Sequence, residues 1–68
     1  MILTKVESSN IESVGWENDT LYVKYLSGGY YAYQNVPKEV YDNFCVAESK
    51  GRFMNAEVKN KYNYTRLN

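Results

Sequence analysis

The chain must fold without a covalent or metal cross-link, because its only cysteine is Cys45 and it contains no histidine. A disulfide framework needs paired cysteines, and a zinc site of the Cys/His type needs several such ligands. At 68 residues, the chain is close to the smallest that folds by its apolar core alone, and cores of this size often gain stability by oligomerising. We therefore expect a single domain, 1–68, that forms a homo-oligomer and holds neither a metal nor a cofactor.

Composition and the N-terminal segment predict a soluble, cytoplasmic protein. Hydrophobic residues make up 44% of the chain and charged residues 24%, which is typical of globular proteins. Residues 1–5 are followed at once by polar and charged positions, so neither a signal peptide nor a membrane-spanning run is predicted. The unpaired thiol fits a reducing compartment.

Apolar periodicity predicts strands before Pro37 and helices after it. Alternation in Leu21–Tyr25 and the aromatic run Tyr30–Gln34 predict two strands joined by a turn at Ser27-Gly28-Gly29, and Ser9–Trp16 predicts an irregular first strand. Pro37 suits the first position of a helix. We expect an α+β fold in which a small antiparallel sheet of about three strands packs against two C-terminal helices.

The two predicted helices each carry an apolar stripe. In the first helix the stripe includes Phe44 and Cys45, which places the cysteine in the core. The second helix is predicted from about Arg52 to Tyr62, with Met54, Val58 and Tyr62 on its apolar face and Phe53 beside them.

The length of the glycine turn decides which face of the sheet carries Tyr31 and Tyr33. A three-residue loop at positions 27–29 turns both side chains to the same face as Val23 and Tyr25, whereas a two-residue loop turns them to the other face. We favour the core face, since the apolar residues of the preceding strand need partners. The tyrosines proposed for base stacking or subunit contacts are Tyr30, Tyr31, Tyr33 and Tyr62, with Tyr22 and Tyr64 as further possibilities.

Charge is distributed unevenly, although the net charge is zero. Residues 1–49 contain three basic and seven acidic side chains, and residues 50–68 contain five basic and one acidic. Either the C-terminal third binds an anion, or the two parts of the chain pair with each other.

The start of the second helix is the sharpest candidate for phosphate binding. Ser49-Lys50-Gly51-Arg52 would combine free backbone N–H groups with two cations. The alternative is an ordinary interhelical turn with Ser49 as its N-cap.

Three polar residues share one face of that helix at α-helical spacing: Arg52, Asn55 and Lys59. Arg52 could grip phosphate while Asn55 reads the edge of a base; the alternative is a solvated face. Arg66 could meet Ser8 and Ser9 if the first strand lies beside the C-terminus, and the alternative is that these are polar sheet edges.

Three segments together resemble the KTSC domain: Ser27-Gly28-Gly29-Tyr30-Tyr31-Ala32-Tyr33, Val36-Pro37, and Ala47–Asn55. That family is named for its occurrence at the C-terminus of some lysyl-tRNA synthetases, and it includes stand-alone members. The resemblance implies a domain whose function has been described as unknown, with RNA binding proposed. Ala32 departs from the family, whose members often carry a basic residue there.

We expect a binding protein and not an enzyme, because the chain lacks an obvious general base or activated nucleophile. The first hypothesis is a homo-oligomeric phage or bacterial protein that sequesters a small, cyclic or oligomeric nucleotide signal, as a sponge serving immune evasion in the host cytoplasm. The second is an RNA-binding accessory module, which the zero net charge disfavours. The third is a protein-interaction or assembly module.

Overall fold

Five antiparallel strands lie side by side in chain order, each paired with the next, in a computed structural model that describes residues 2–68. The strands are β1 (Thr4–Lys5), β2 (Ile11–Glu17), β3 (Thr20–Tyr25), β4 (Tyr30–Tyr33) and β5 (Tyr64–Arg66). The helices are α1 (Lys38–Val46) and α2 (Lys50–Phe53), and α2 continues directly into a π-helical turn at Met54–Val58. The α+β prediction is therefore confirmed.

The predicted number of about three strands is wrong, because the sheet has two further strands at its edges. β1 has two residues and β5 has three, and all five are exposed. Such short edge strands carry no alternation of apolar and polar residues. Their pairing with β2 and β4 creates them, so a local pattern cannot reveal them.

The core lies between one face of the sheet and the helices. Val23 in the central strand is fully buried and lies between Val14 of β2 and Tyr31 of β4. The buried cluster is completed by residues from every layer: Ile11, Leu21, Tyr33, Val36, Phe44, Met54 and Val58. The predicted burial of Met54 and Val58 is confirmed, whereas the helical segment ends at Val58 and does not reach Tyr62.

The turn between β3 and β4 has three residues, Leu26-Ser27-Gly28, one position earlier than predicted. The Tyr25 N–H donates to the Gly29 carbonyl at 2.8 Å, and Gly28 adopts a φ of 105°, which glycine tolerates best. Because the loop has three residues, Tyr31 and Tyr33 face the core side, as predicted. Tyr33 is buried and Tyr31 is half-buried.

Cys45 is exposed, so the prediction of a core cysteine is wrong. Phe44 is the buried residue of α1, and its ring meets Phe53 edge to face at 5.8 Å. Val40 and Tyr41 of the same helix are only partly buried against the core, and the side chain after Phe44 lies toward solvent. No helix among residues 2–68 is long and apolar enough to cross a membrane.

Replacing Phe44 should nearly abolish folding. Phe44→Ala removes a fully buried ring and leaves a cavity, which costs about 3–5 kcal/mol, comparable to the whole stability of a small domain. Urea unfolding followed by the fluorescence of Trp16, the only tryptophan, measures this loss. Val46→Ala is the control, because Val46 is 82% exposed and should change the unfolding free energy by less than about 0.5 kcal/mol. Equal effects of the two substitutions would contradict the assigned core.

Candidate functional site

An open groove of about 920 Å³ lies on the core-facing side of the sheet, next to the end of the π-helical turn. Aromatic and cationic side chains dominate its walls: Tyr25, Tyr31, Tyr33, Tyr64, Lys59 and Arg66. No aspartate or glutamate of residues 2–68 lines it. We call it the tyrosine groove.

Tyr31 is the centre of the aromatic cluster. Its ring meets those of Tyr25 and Tyr64 edge to face, with centroids 5.7 Å and 5.4 Å away, and lies 6.3 Å from Tyr33. The register explains this contact set, because Tyr33 pairs directly with Tyr64 and alternate residues share a face. Edge-to-face ring pairs contribute about 0.5–1.5 kcal/mol beyond their burial.

Gly29 allows the Tyr31 ring to take this position. A Cβ at residue 29 would lie 2.8 Å from Cε2 of Tyr31, closer than a real contact permits. The glycine that the sequence assigned to the turn therefore serves a side-chain contact in the groove.

Two cations lie over the aromatic faces. Nζ of Lys59 is 5.3 Å from the centre of the Tyr25 ring, and Cζ of Arg66 is 5.6 Å from that of Tyr31. Both distances suit cation–π attraction. Nε of Arg66 also donates to Oδ1 of Asn68 at 3.3 Å, which fixes the guanidinium beside the groove.

The carboxylates of residues 1–49 do not neutralise this groove. Among residues 2–68, three ion pairs each join residues of the same part of the chain: Lys24 with Glu12, Lys38 with Asp42, and Lys61 with Glu57. The charge asymmetry seen in the sequence is thus kept in the folded domain at Lys59 and Arg66.

The π-helical turn positions Lys59. The Lys59 N–H donates to the Met54 carbonyl, five residues earlier, at 2.8 Å. A π-helical turn contains more residues than an α-helical turn and so displaces the residues after it; such turns frequently occur at functional sites. Lys59 reaches the groove, whereas Arg52 and Asn55 are exposed and lie outside its lining.

The predicted helix-start residues have structural partners. Ser49 caps α2 by accepting the Arg52 N–H at 3.3 Å. Nζ of Lys50 donates to the carbonyls of Cys45 and Ala47, at 3.1 Å and 2.8 Å, and so closes the end of α1. A Cβ on Gly51 would lie 2.9 Å from Oδ1 of Asn10. These are the contacts of an ordinary interhelical turn, which is the alternative to a phosphate site at this position.

Ser49, Lys50 and Gly51 also line a second, smaller groove of about 360 Å³ with Ser8 and Ser9. Two carboxylates share that lining, Glu7 and Glu48. Their charge opposes an anionic ligand, so this groove is the weaker candidate.

Ser8 and Ser9 have different roles. The Ser8 hydroxyl accepts the N–H groups of Asn10 and Ile11 and stabilises the turn before β2. Ser9 lines the tyrosine groove together with Arg66. The predicted contact through neighbouring strands is wrong, because the predicted first strand is β2, and β3 and β4 separate it from β5.

The structure divides the predicted tyrosines. Tyr31 and Tyr33 line the groove, Tyr30 lies on the opposite face of the sheet opposite Lys24, and Tyr62 packs against the core. Sequence reasoning misses Tyr25 as a site residue, although its alternation with Val23 places it on the same face. Tyr64 is only a further possibility in the sequence, because no pattern predicts β5.

Partly buried hydroxyl groups link two of the groove tyrosines. The hydroxyls of Tyr25 and Tyr33 lie 3.1 Å apart in a hydrogen bond. Burial raises the pKa of both phenols above the usual value, and the bond to Tyr33 raises the pKa of Tyr25 further. Both hydroxyls are protonated at neutral pH, and either one can donate the hydrogen bond.

The family model of the KTSC domain matches residues 7–62. The chain belongs to the KTSC domain family. It is also similar to a crystal structure of a KTSC domain protein from Yersinia pestis, with 33% identity and a TM-score of 0.94 over 98% of this chain and 97% of that one. The resemblance drawn from the sequence is confirmed.

Two relatives of this KTSC domain match nearly end to end. A protein of Tsukamurella paurometabola is 42% identical over 59 residues, covering 84% of this chain and 88% of its own. A protein of Stutzerimonas stutzeri is 37% identical over 65 residues, covering 91% and 92%. The matched region thus covers most of the length of both relatives.

Alkaline titration should detect the buried phenols of the KTSC domain. A raised pKa in the folded state favours the protonated phenol, so its stabilising contribution is complete below about pH 10, the unfolded value, and is lost as the pH rises through the folded pKa. About one unit above that value, unfolding by urea should increase tyrosinate absorbance, and Tyr33→Phe should reduce the increase. Complete ionisation of the folded protein at that pH would contradict the assigned burial.

Substitution of Lys50 should lower the free energy of unfolding more than substitution of Arg52. Lys50→Met keeps the alkyl chain but removes the ammonium that binds two carbonyls, and should lower the free energy of unfolding by about 1 kcal/mol after allowance for partial exposure. Arg52→Ala should change it by less than about 0.5 kcal/mol. Urea unfolding compares the two variants. An unchanged free energy of unfolding in the Lys50→Met protein would contradict the structural role of Lys50.

Proposed function

We propose that this KTSC domain binds a small nucleotide or short oligonucleotide in the tyrosine groove and sequesters it without chemical change. One observation carries the proposal: four tyrosine rings and two cations line a single groove that contains no carboxylate of residues 2–68. Aromatic faces suit the bases, and cations suit the phosphates. The proposed ligand therefore combines an aromatic ring system with negative charge.

The rings provide surfaces for base stacking. Tyr64 is 57% exposed and Tyr31 is half-buried, so both present ring surface to the groove. Stacking of a base on such a ring contributes about 1–3 kcal/mol and tolerates any base. The partners of Tyr31 hold its ring in place before the ligand arrives, which lowers the entropic cost of binding.

The polar groups of the groove can supply charge recognition and orientation. Arg66 offers the forked donors that match a phosphate, and Lys59 adds a point charge on the other side of the tyrosine cluster. Amide and hydroxyl groups at Asn10, Asn60 and Ser9 supply donors and acceptors for a base edge or a sugar.

The dimensions favour a small ligand over extended RNA. The groove volume of about 920 Å³ falls within the range of about 300–1,000 Å³ that is usual for small-molecule sites. Two cations neutralise at most about two phosphates, whereas extended RNA binding depends on many phosphate contacts.

The groove is suited to binding and not to catalysis. Its lining among residues 2–68 has no carboxylate or thiol, and the chain has no histidine. The raised pKa values of Tyr25 and Tyr33 leave those hydroxyls protonated near pH 7, so neither acts as a general base. Sequestration requires only tight binding.

Calorimetry with nucleotides at low salt tests the proposal. The ligands are mononucleotides, cyclic dinucleotides and single-stranded RNAs of increasing length. Tyr64→Ala should lower the affinity for the tightest-binding ligand by roughly 5- to 150-fold, the equivalent of one lost stacking contact. Arg66→Ala should lower it by roughly tenfold or more. Arg52→Ala and Lys61→Ala are matched controls, because both remove a cation of the basic segment outside the groove.

The salt dependence separates the proposed small ligand from extended RNA. Contacts with two phosphates predict a slope of log K against log salt of about −1.4. Affinity that rises steadily with RNA length, with a much steeper slope, would favour the RNA-binding alternative. No binding of any of these ligands at low salt, or equal losses in the control variants, would refute the groove as a nucleotide site.

A further inference from the structure

The outer edge of β5 presents backbone groups that no other strand of residues 2–68 pairs with. The Gln34 N–H donates to the Asn63 carbonyl and the Leu67 N–H to the Tyr30 carbonyl, each at 2.8 Å. Alternate residues of an antiparallel strand direct their backbone groups to the same side. The backbone N–H and C=O groups of Thr65 therefore point toward β4, like those of Asn63 and Leu67. The N–H and C=O groups of Tyr64 and Arg66 point outward.

We propose that this edge pairs with the same edge of a second copy of the chain, antiparallel about a two-fold axis at Thr65. In this register the outward groups of Tyr64 meet those of the partner subunit's Arg66, and the symmetric pair forms on the other side of the axis. Four backbone hydrogen bonds result, and the two sheets become one continuous sheet.

The side chains favour this register over one centred on Arg66. Tyr64 and Arg66 lie opposite Tyr33 and Tyr31, so both side chains are on the groove face. Each Tyr64 ring would lie opposite the partner's Arg66, which gives two cation–π pairs across the interface. A register centred on Arg66 would instead oppose like charges, which is destabilising.

The composition of the two sheet edges selects β5. Natural edge strands resist association by lysine, proline or very short length. β1 has only two residues and contains Lys5, whereas β5 has three; its Tyr64 is 57% exposed, and Leu67, which follows the strand, is 45% exposed. Pairing would cover part of this apolar surface. The small contact area predicts a dimer of modest affinity.

The dimer would complete the groove at its open side. The partner's Arg66 and the partner's Tyr64 would join Tyr64 at the edge, so that the two tyrosine grooves adjoin across the axis. Given the proposed function, the joined grooves suit one dinucleotide per dimer, with one base stacked in each half. The pairing itself does not depend on that function.

Disulfide trapping tests the register directly. Residues facing each other at a pair without hydrogen bonds have Cα atoms about 4.5 Å apart, within the range of disulfides. Thr65→Cys in a Cys45→Ser background should therefore form a covalent dimer rapidly under mild oxidation. Thr4→Cys in the same background is the matched control, since Thr4 is exposed on the opposite edge. Equal rates at the two positions would overturn the proposal.

Light scattering provides the second measurement, over a dilution series extending to millimolar protein. The wild-type mass should rise toward twice the 7.9 kDa of the chain. Thr65→Lys places like charges on the axis and should weaken association by roughly tenfold or more, while Thr4→Lys should leave it unchanged. The fluorescence of Trp16 verifies that each variant is folded.

A wild-type protein that stays monomeric throughout the series would overturn the proposed dimer. This failure is distinguishable from failure of the proposed function. Monomeric Thr65→Lys retains Tyr64, Arg66 and Lys59 of its own groove, so its binding of a mononucleotide by calorimetry is a separate readout.

Discussion

The turn at Leu26-Ser27-Gly28 sets the register between β3 and β4, and both the core and the tyrosine groove depend on that register. It places Leu21 opposite Tyr33 and Val23 opposite Tyr31. A slip by one residue would move every side chain of β4 to the other face. The same pairing therefore buries Tyr33 in the core and leaves Tyr31 at the border of the core and the groove.

The groove forms where the helical cover of the sheet ends. The π-helical turn ends at Val58, the last buried residue of the second helical segment, and Lys59 follows it directly over Tyr25. On the other side, β5 contributes Tyr64 and Arg66 to the same face. The aromatic rings beyond the helical cover therefore form an exposed surface flanked by cations. The excess of basic residues in the C-terminal part of the sequence lies beside this surface at Lys59 and Arg66.

The strongest periodic signals of the sequence predict the central part of the fold. The alternation in β3 and the spacing of Met54 and Val58 each reflect burial of a face, and the structure has both; the glycine turn is also present, one residue earlier than predicted. The sequence also predicts which face of the sheet carries Tyr31 and Tyr33, because the apolar side of β3 needs partners.

Other features depend on tertiary contacts that leave no local pattern. β5 exists only through its pairing with β4, so the sequence alone does not assign Tyr64 to the site. The π-helical turn displaces Lys59 from the α-helical spacing that the sequence suggests. Lys50 resembles a phosphate ligand because charge alone does not reveal that the carbonyls of Cys45 and Ala47 lie within reach. Cys45 continues an apolar stripe that α1 buries fully at Phe44 and only partly at Val40 and Tyr41.

Nucleotide binding in the tyrosine groove, and not at the start of α2, can be tested residue by residue. The measurement is a titration of the ¹⁵N-labelled domain with a phosphorylated nucleotide, followed through its amide resonances. Binding in the groove predicts that the largest shifts fall on Gly29, Tyr31, Asn60 and Arg66, with small shifts at positions 50–52. Shifts concentrated at positions 50–52, or none at saturating nucleotide, would contradict the groove as the binding site.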